Sequence, residues 1–310
     1  MKIALLGGDG FVGSNIKECL EEKKINFDIA SLKSGVDLRD ENQAISFFKE
    51  SKPDFIINCA AHVGSLNYVT EQAATIISDN SRMIISMYEA IRRSCPRAIV
   101  INPIANCAYP AKSETFSEDM FWDGQVHHSV LSYGTTKRML LVTAECFNMQ
   151  HKIQSINLIS PNMYGPHDST DPNKAHALNA LISKFIKAQK TQSKSVEIWG
   201  TGIAIREWLY AKDFGKIIIR IIEKPDLTGL AEPTNIAQNF GLSVKTLVNL
   251  IQKHLQFDGI IKYDELRPEG ALKKVMDDTK FKKVFPDFEF TALDDGIKNT
   301  IKYYESIYPY

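Results

Sequence analysis

The sequence predicts an α/β protein: a doubly wound parallel sheet followed by a smaller C-terminal α/β subdomain. Three observations carry this expectation. Short apolar runs alternate with longer amphipathic segments through the first half, the pattern of strands joined by crossover helices. The strand-like runs are unbroken, as in Phe55-Ile56-Ile57, because helices on both faces leave neither side of a parallel sheet to water. A glycine-rich turn, Gly7-Gly8-Asp9-Gly10-Phe11-Val12-Gly13, separates the first strand from the first helix.

In chain order, Lys2–Leu6 reads as a strand, Gly13–Glu22 as a helix, Asn26–Ser31 as a strand and Asn42–Ser51 as a helix. Phe55–Cys59 is a strand, Ile76–Ser94 a long helix, Ala98–Asn102 a strand, Tyr133–Gln150 a long helix and Gln154–Leu158 a strand. The second half is less regular and punctuated by Pro and Gly. There Ala177–Gln189, Asp213–Glu223 and Ser243–Leu255 read as helices and Ser195–Trp199 as a strand.

At 310 residues and 44% hydrophobic, the chain can bury a sizeable core. Lys+Arg and Asp+Glu are 37 each, so there is no basic excess of the kind that a general nucleic-acid or membrane-surface role usually shows. No apolar stretch approaches a membrane span; Ile217–Ile222 is interrupted by Arg220. Met1-Lys2-Ile3 runs straight into a strand, which leaves no room for a signal peptide. The five cysteines form no CxxC pair. This suits reduced thiols in a cytoplasmic protein, with neither a disulfide framework nor a metal site.

Gly7, Gly10 and Gly13 form GxxGxxG between strand and helix. A pyrophosphate must approach the backbone closely there, a Cβ would obstruct it, and the helix N-terminus supplies N–H donors. Phe11 and Val12 lie inside this turn. Residues 1–160 are therefore the predicted Rossmann-type dinucleotide-binding domain, joined by part of 207–240; residues 161–310 form the mainly substrate-binding subdomain, interleaved with it. The second strand ends in Ile29-Ala30-Ser31 without the acid that binds the ribose hydroxyls of NAD. Ser31 and Lys33 instead suit a 2′-phosphate, and the expectation is NADP(H), although Asp9 would repel that phosphate. Asp37, before Leu38, reads either as an adenine contact or as a capping residue.

Tyr133-Gly134-Thr135-Thr136-Lys137 places Tyr133 and Lys137 on one helix face. A tyrosine titrates near ~10. The Lys137 ammonium and the oxidised nicotinamide would lower that value, so that Tyr133 could protonate a carbonyl oxygen as hydride arrives at carbon.

Together these motifs resemble extended short-chain dehydrogenases/reductases. Further segments narrow the resemblance to the GDP-L-fucose synthase family, which epimerises and reduces a GDP-4-keto-6-deoxy sugar. Asn58-Cys59-Ala60-Ala61-His62-Val63-Gly64 is similar to its AAxVGG segment, and Asn106-Cys107-Ala108-Tyr109-Pro110 to its SCIYP. Asn162-Met163-Tyr164-Gly165-Pro166-His167-Asp168 is similar to its NLYGPHD. Trp199-Gly200-Thr201-Gly202 and Arg206-Glu207-Trp208-Leu209 resemble its WGSG and REFL. The matching order runs from Lys2 to about Phe281.

The resemblance implies that Cys107 and His176 are the acid–base pair for epimerisation, where a base on one face and an acid on the other invert carbons beside the keto group. It implies that Ala60 and Ala61 border the cofactor. Asn162, Lys184, Trp199, Arg206 and Lys274 would bind the nucleotide sugar, with Arg206 facing the diphosphate. Lys184 stands where the family has arginine, which keeps the charge and loses the bidentate fork. The family serine four positions before the SCIYP tyrosine is replaced by Ala105. Losing such a donor to a developing oxyanion costs about 3 kcal/mol, so Asn106, a water or a substrate hydroxyl would substitute, or one activity is lost.

The expected function is NADPH-dependent C4 reduction of a GDP-linked 4-keto sugar, with C3/C5 epimerisation through Cys107 and His176, in a homodimer paired through the two long helices. A C4 reductase acting on a keto-heptose after a separate epimerase is the alternative. An NAD-dependent 4-epimerase or dehydratase and a non-catalytic dinucleotide-binding protein are further alternatives.

Overall fold

The computed structural model describes residues 1–112, 116–224, 228–266 and 272–310. The first half contains β1 (Ile3–Leu6), α1 (Phe11–Glu22), β2 (Phe27–Ala30), α2 (Glu41–Ser51), β3 (Phe55–Asn58), α3 (Leu66–Glu71), α4 (Ala73–Ser94), β4 (Ile99–Ala105), α5 (Leu131–His151) and β5 (Ser155–Ser160). The second contains β6 (Asn162–Tyr164), α6 (Ala177–Lys190), β7 (Ser195–Trp199), β8 (Ile205–Arg206), β9 (Trp208–Tyr210), α7 (Ala211–Glu223), β10 (Thr234–Asn235), β11 (Leu242–Ser243), α8 (Val244–Leu255), β12 (Ile260–Asp264), β13 (Lys273–Lys274), α9 (Thr279–Val284) and α10 (Leu293–Ser306).

The central six-stranded sheet has the order β10-β5-β4-β3-β1-β2, and every pairing is parallel. The chain leaves β1 toward β2 on one side and returns to β3 on the other. That reversal opens a crevice at the carboxyl ends of the strands, where this architecture binds ligands. β1 and β3 are buried throughout. One apolar layer sets α2, α4 and α5 against the sheet, with Phe48, Tyr88, Ile91 and Leu140 at its centre. The other sets α1 and α7 against the opposite face through Ile16, Leu20, Phe214 and Ile218.

A third core, including Leu178, Phe185, Ile251, Ile301 and Tyr304, joins α6, α8 and α10. Short sheets accompany it: β12 with β7, β6 with β9, and β8 between β11 and β13. β10 is supplied late in the chain, and it completes the first sheet beside β5.

Two differences from the sequence reading have physical causes. β4 runs on through Pro103 to Ala105, although a proline within a strand argues for an end. β3 stops pairing at Ile101 while β5 continues to Ala105, so the missing N–H costs no ladder bond on the β3 side. Helix α10 is absent from the sequence reading; it carries Gly296, where a Cβ would collide with the Tyr164 hydroxyl.

Candidate active site

The glycine turn lies at the crevice. Gly7 has φ +69°, and a Cβ on it would sit 2.7 Å from the Ala60 nitrogen. A Cβ on Gly13 would strike the Gly7 carbonyl. The turn is fixed by Gly7 N–H to the Ala30 carbonyl at 2.8 Å and Gly10 N–H to the Gly7 carbonyl at 3.0 Å. No side chain caps the start of α1, so its first N–H groups are free to meet a phosphate. Phe11, Val12, Ala60 and Ala61 are half-buried around it. These residues fit a dinucleotide, and a small cavity lined by Leu38, Asn58, Ala60, Thr136 and Lys137 continues from them.

The end of β2 differs from its sequence reading. An acid does stand there, and it comes from the glycine turn: the Ser31 hydroxyl donates to Asp9 Oδ2. Lys33 is exposed beyond it. Asp37 accepts from Arg39 Nε at 2.9 Å and Nη2 at 2.8 Å, so its carboxylate is engaged by its own loop. Hydrogen bonding to Arg39 holds the Asp37 carboxyl below its ordinary value. Asp40, and not Asp37, caps α2. Arg39 also reaches Asp79 at 3.2 Å, which in turn holds His62 Nδ1 at 2.9 Å.

Tyr133 and Lys137 lie on α5, with the ammonium 5.4 Å from the ring centroid. Lys137 Nζ donates to the Pro103 carbonyl at 3.0 Å. Burial pulls the lysine down to about 8 from its ordinary 10.5, against the thiols of Cys107 and Cys59. For Tyr133 the expected lowering by Lys137 is absent. Burial pushes the phenol up, and Cys107 and Cys59 add to this. The phenol is thus held protonated, as a proton donor requires.

Cys107 sits in the short turn after β4. Burial pushes its thiol up to about 11, while Lys274 and Lys137 draw it down. At neutral pH it is a thiol and therefore an acid rather than a thiolate base. Gly134 permits this approach: a Cβ there would lie 2.9 Å from the Cys107 carbonyl. Tyr133, Lys137, Cys107 and Lys274 thus converge on one locality.

His176 has a separate set of partners. Its Nδ1 is 3.0 Å from Asp168 Oδ1, and its backbone N–H donates to Oδ2 at 2.8 Å. Asn179 also donates to Oδ2 at 2.8 Å. Burial raises the Asp168 carboxyl, but the His176 bonds and charge outweigh it and hold the group low. The imidazole packs on Phe11 with centroids 5.1 Å apart, beside the glycine turn. Among the described residues no hydrogen bond or ring contact joins His176 to Cys107.

Arg206 and Lys274 are register partners on β8 and β13. Burial, then the charge of Arg206, pushes the Lys274 ammonium down. Two cations held together in this way suit a doubly charged phosphate group. Glu207, which the sequence reading did not single out, ties the surrounding strands. Its carboxylate accepts from Gln238 N–H at 2.5 Å and Met276 N–H at 2.8 Å. Its own N–H donates to the Lys274 carbonyl at 3.1 Å, and Asn162 Nδ2 donates to its carbonyl at 3.3 Å. Burial pushes the Glu207 carboxyl up to about 7.

Trp199 is 51% exposed at the end of β7. Lys184 is placed apart from the Tyr133 group, with Nζ 2.5 Å from the Glu197 carbonyl in a groove shared with Lys187 and Lys262. Ala105 ends β4 opposite Ser160 of β5. The neighbouring Asn106 Nδ2 is buried and has no hydrogen-bond partner among the described residues. The role of Asp168 was hidden because it acts eight residues away through a loop of no regular period, though it closes the Asn162–Asp168 motif. That of Glu207 was hidden because its partners come from three distant segments.

GDP-L-fucose synthase from Azorhizobium caulinodans is 30% identical over 306 residues, covering 98% of this chain and 96% of that protein. GDP-L-colitose synthase from Yersinia pseudotuberculosis is 29% identical and covers 98% of each. A GDP-L-fucose synthetase structure from Naegleria fowleri superposes with a TM-score of 0.89 at 23% identity, over 99% of this chain and 94% of that one. A model of the NAD dependent epimerase/dehydratase family matches residues 3–237. With the glycine turn, the reversed sheet order and the Tyr133–Lys137 pair all inside that span, this chain belongs to the NAD dependent epimerase/dehydratase family.

Proposed function

We propose that this protein reduces the C4 ketone of a GDP-linked 4-keto sugar. Bound at the glycine turn, NADPH supplies the hydride. The observation that carries the reading is the convergence of a protonated Tyr133, the Lys137 ammonium and Cys107 beside Lys274. Tyr133 gives its proton to the C4 oxygen, and Lys137 supports the resulting phenolate. Arg206 and Lys274 neutralise the diphosphate, while Asn162 and Trp199 hold the rest of the nucleotide sugar. Relatives named for GDP-sugar synthesis at 30% and 29% identity support this substrate class.

In the fuller form of the proposal Cys107 and His176 exchange protons at C3 and C5 before reduction. Asp168 orients the imidazole and favours its proton on Nδ1, which leaves Nε2 as the base. A second reading, reduction without epimerisation on a longer keto sugar such as a heptose, is favoured by Ala105 at the serine position and by Lys184 at the arginine position.

One experiment separates the readings: NADPH oxidation with GDP-4-keto-6-deoxymannose in heavy water, with the product examined by NMR. Deuterium at C3 and C5 supports the epimerase–reductase. Oxidation without deuterium leaves the reductase alone. No oxidation with this sugar or with heptose analogues would sink both.

No described helix is long and apolar enough to cross a membrane. The five cysteines are unpaired, in keeping with a cytoplasmic enzyme. We further propose a homodimer through α4 and α5, which expose Ile77, Ile85, Leu131, Val142 and Met149. A light-scattering mass of one chain would exclude it.

A further inference from the structure

We propose that Asp9 is a specificity-determining residue of the dinucleotide site, and that the chain accepts NADH alongside NADPH. This rests on the reductase reading above and deepens it. β1 and β2 pair in parallel with Leu6 opposite Ala30, and the Gly7 N–H bonds the Ala30 carbonyl at 2.8 Å. The turn after β1 therefore lies directly on the end of β2. Gly8 is pressed so close that a Cβ would come within 3.0 Å of the Ile29 side chain. The next residue, Asp9, then meets Ser31, whose hydroxyl donates to its Oδ2.

Ser31 is itself fixed. Its N–H donates to Ser34 Oγ at 2.8 Å, and the Ser34 N–H donates back to Ser31 Oγ at 3.0 Å. An ordered turn thus holds a carboxylate at the end of β2, where this fold uses an acid to accept hydrogen bonds from the adenine ribose hydroxyls. The acid ordinarily belongs to β2 itself; here the glycine turn supplies it.

Among the described residues no cation forms an ion pair with Asp9, whose side chain meets Ser31. Arg39 is shared between Asp37 at 2.8 Å and Asp79 at 3.2 Å. Lys33 stands exposed on the Ser31–Ser34 turn. A 2′-phosphate, with its roughly doubled negative charge, is repelled by Asp9. A free 2′-hydroxyl donates to it. Ser31 and Lys33 favour the phosphate and Asp9 the hydroxyl, and the balance admits both.

The test is direct binding without substrate: calorimetric titration of NADPH and of NADH into the wild-type and Asp9→Asn proteins, with thermal melting as a check on folding. We expect NADH to bind wild type within about tenfold of NADPH, and Asp9→Asn to tighten NADPH by about tenfold without tightening NADH. Because Asp9 is exposed, added salt should narrow the difference between the two proteins for NADPH. A wild type that prefers NADPH by more than ~100-fold, or an Asp9→Asn protein whose NADPH-to-NADH ratio is unchanged, overturns the proposal alone. Failure of both dinucleotides to bind overturns the reductase reading with it.

Discussion

Lys137 spends a hydrogen bond of 3.0 Å on the carbonyl of Pro103, a residue whose own missing N–H lies where β4 has outrun β3. The bond anchors the ammonium of α5 to the sheet and fixes where the Tyr133 ring stands relative to it. It also leaves the lysine buried, with its pKa drawn down to about 8.

That value separates activity from stability. Lys137 is charged below pH about 8 and neutral above it, so reduction that needs the ammonium should decline as pH rises through about 8. Stability runs the other way. Between about 8 and the ordinary 10.5 the unfolded chain binds the extra proton, so the contribution of this group to stability rises with pH across that window. Paired pH profiles of kcat/KM and of thermal melting would check this; a rate that holds to pH 10 counts against the role given to Lys137.

Restoring a hydroxyl at Ala105 is the direct test of the missing donor. Ala105→Ser should raise kcat by about tenfold or more, since one donor to a developing oxyanion commonly contributes 10²–10³. An unchanged kcat would mean that another group already serves, and Asn106, with its unpartnered buried nitrogen, is the first to examine by Asn106→Ala.

Asp168 accepts three hydrogen bonds, two from His176 and one from Asn179. Asp168→Ala removes a buried partner of the imidazole and should cost about 3 kcal/mol of stability. The milder Asp168→Asn should fold and lose deuterium incorporation at the epimerised carbons by at least about tenfold. Wild-type incorporation in that variant would remove His176 from the proton exchange.

Glu207 joins the strands that carry Arg206, Lys274 and Asn162. Burial sets its carboxyl at about 7, with Asp278 the charged neighbour that pushes it the same way. As pH falls through about 7 the carboxylate gains a proton and loses an acceptor for the Gln238 and Met276 N–H groups. KM for the sugar nucleotide should therefore rise on acidification while kcat changes less. Stability follows the opposite sign: the native state holds the extra proton between the ordinary carboxyl value of 4.5 and about 7, so this group's contribution falls as pH rises through that window. Glu207→Gln should raise KM by about tenfold at pH 8 and flatten its pH dependence. A KM that still climbs on acidification in Glu207→Gln assigns the effect elsewhere.

Local pattern alone determined much of this protein. The strand–helix alternation, the glycine turn and the Tyr133–Lys137 spacing are set within a few residues of one another, and periodicity reports such short-range constraints directly. α4, α5 and α6 accordingly differ from their sequence ranges only at the ends. Three features were decided only by the tertiary structure. Asp9 reaches the end of β2 because parallel pairing lays one turn upon another. Gly296 sits inside a helix because the Tyr164 hydroxyl occupies the space of its Cβ. Tyr133 keeps its proton because burial pushes the phenol up, with Cys107 and Cys59 from separate strand ends adding to this. Each depends on atoms brought together from distant parts of the chain, and desolvation and contact are properties of that assembled neighbourhood that no spacing along the sequence encodes.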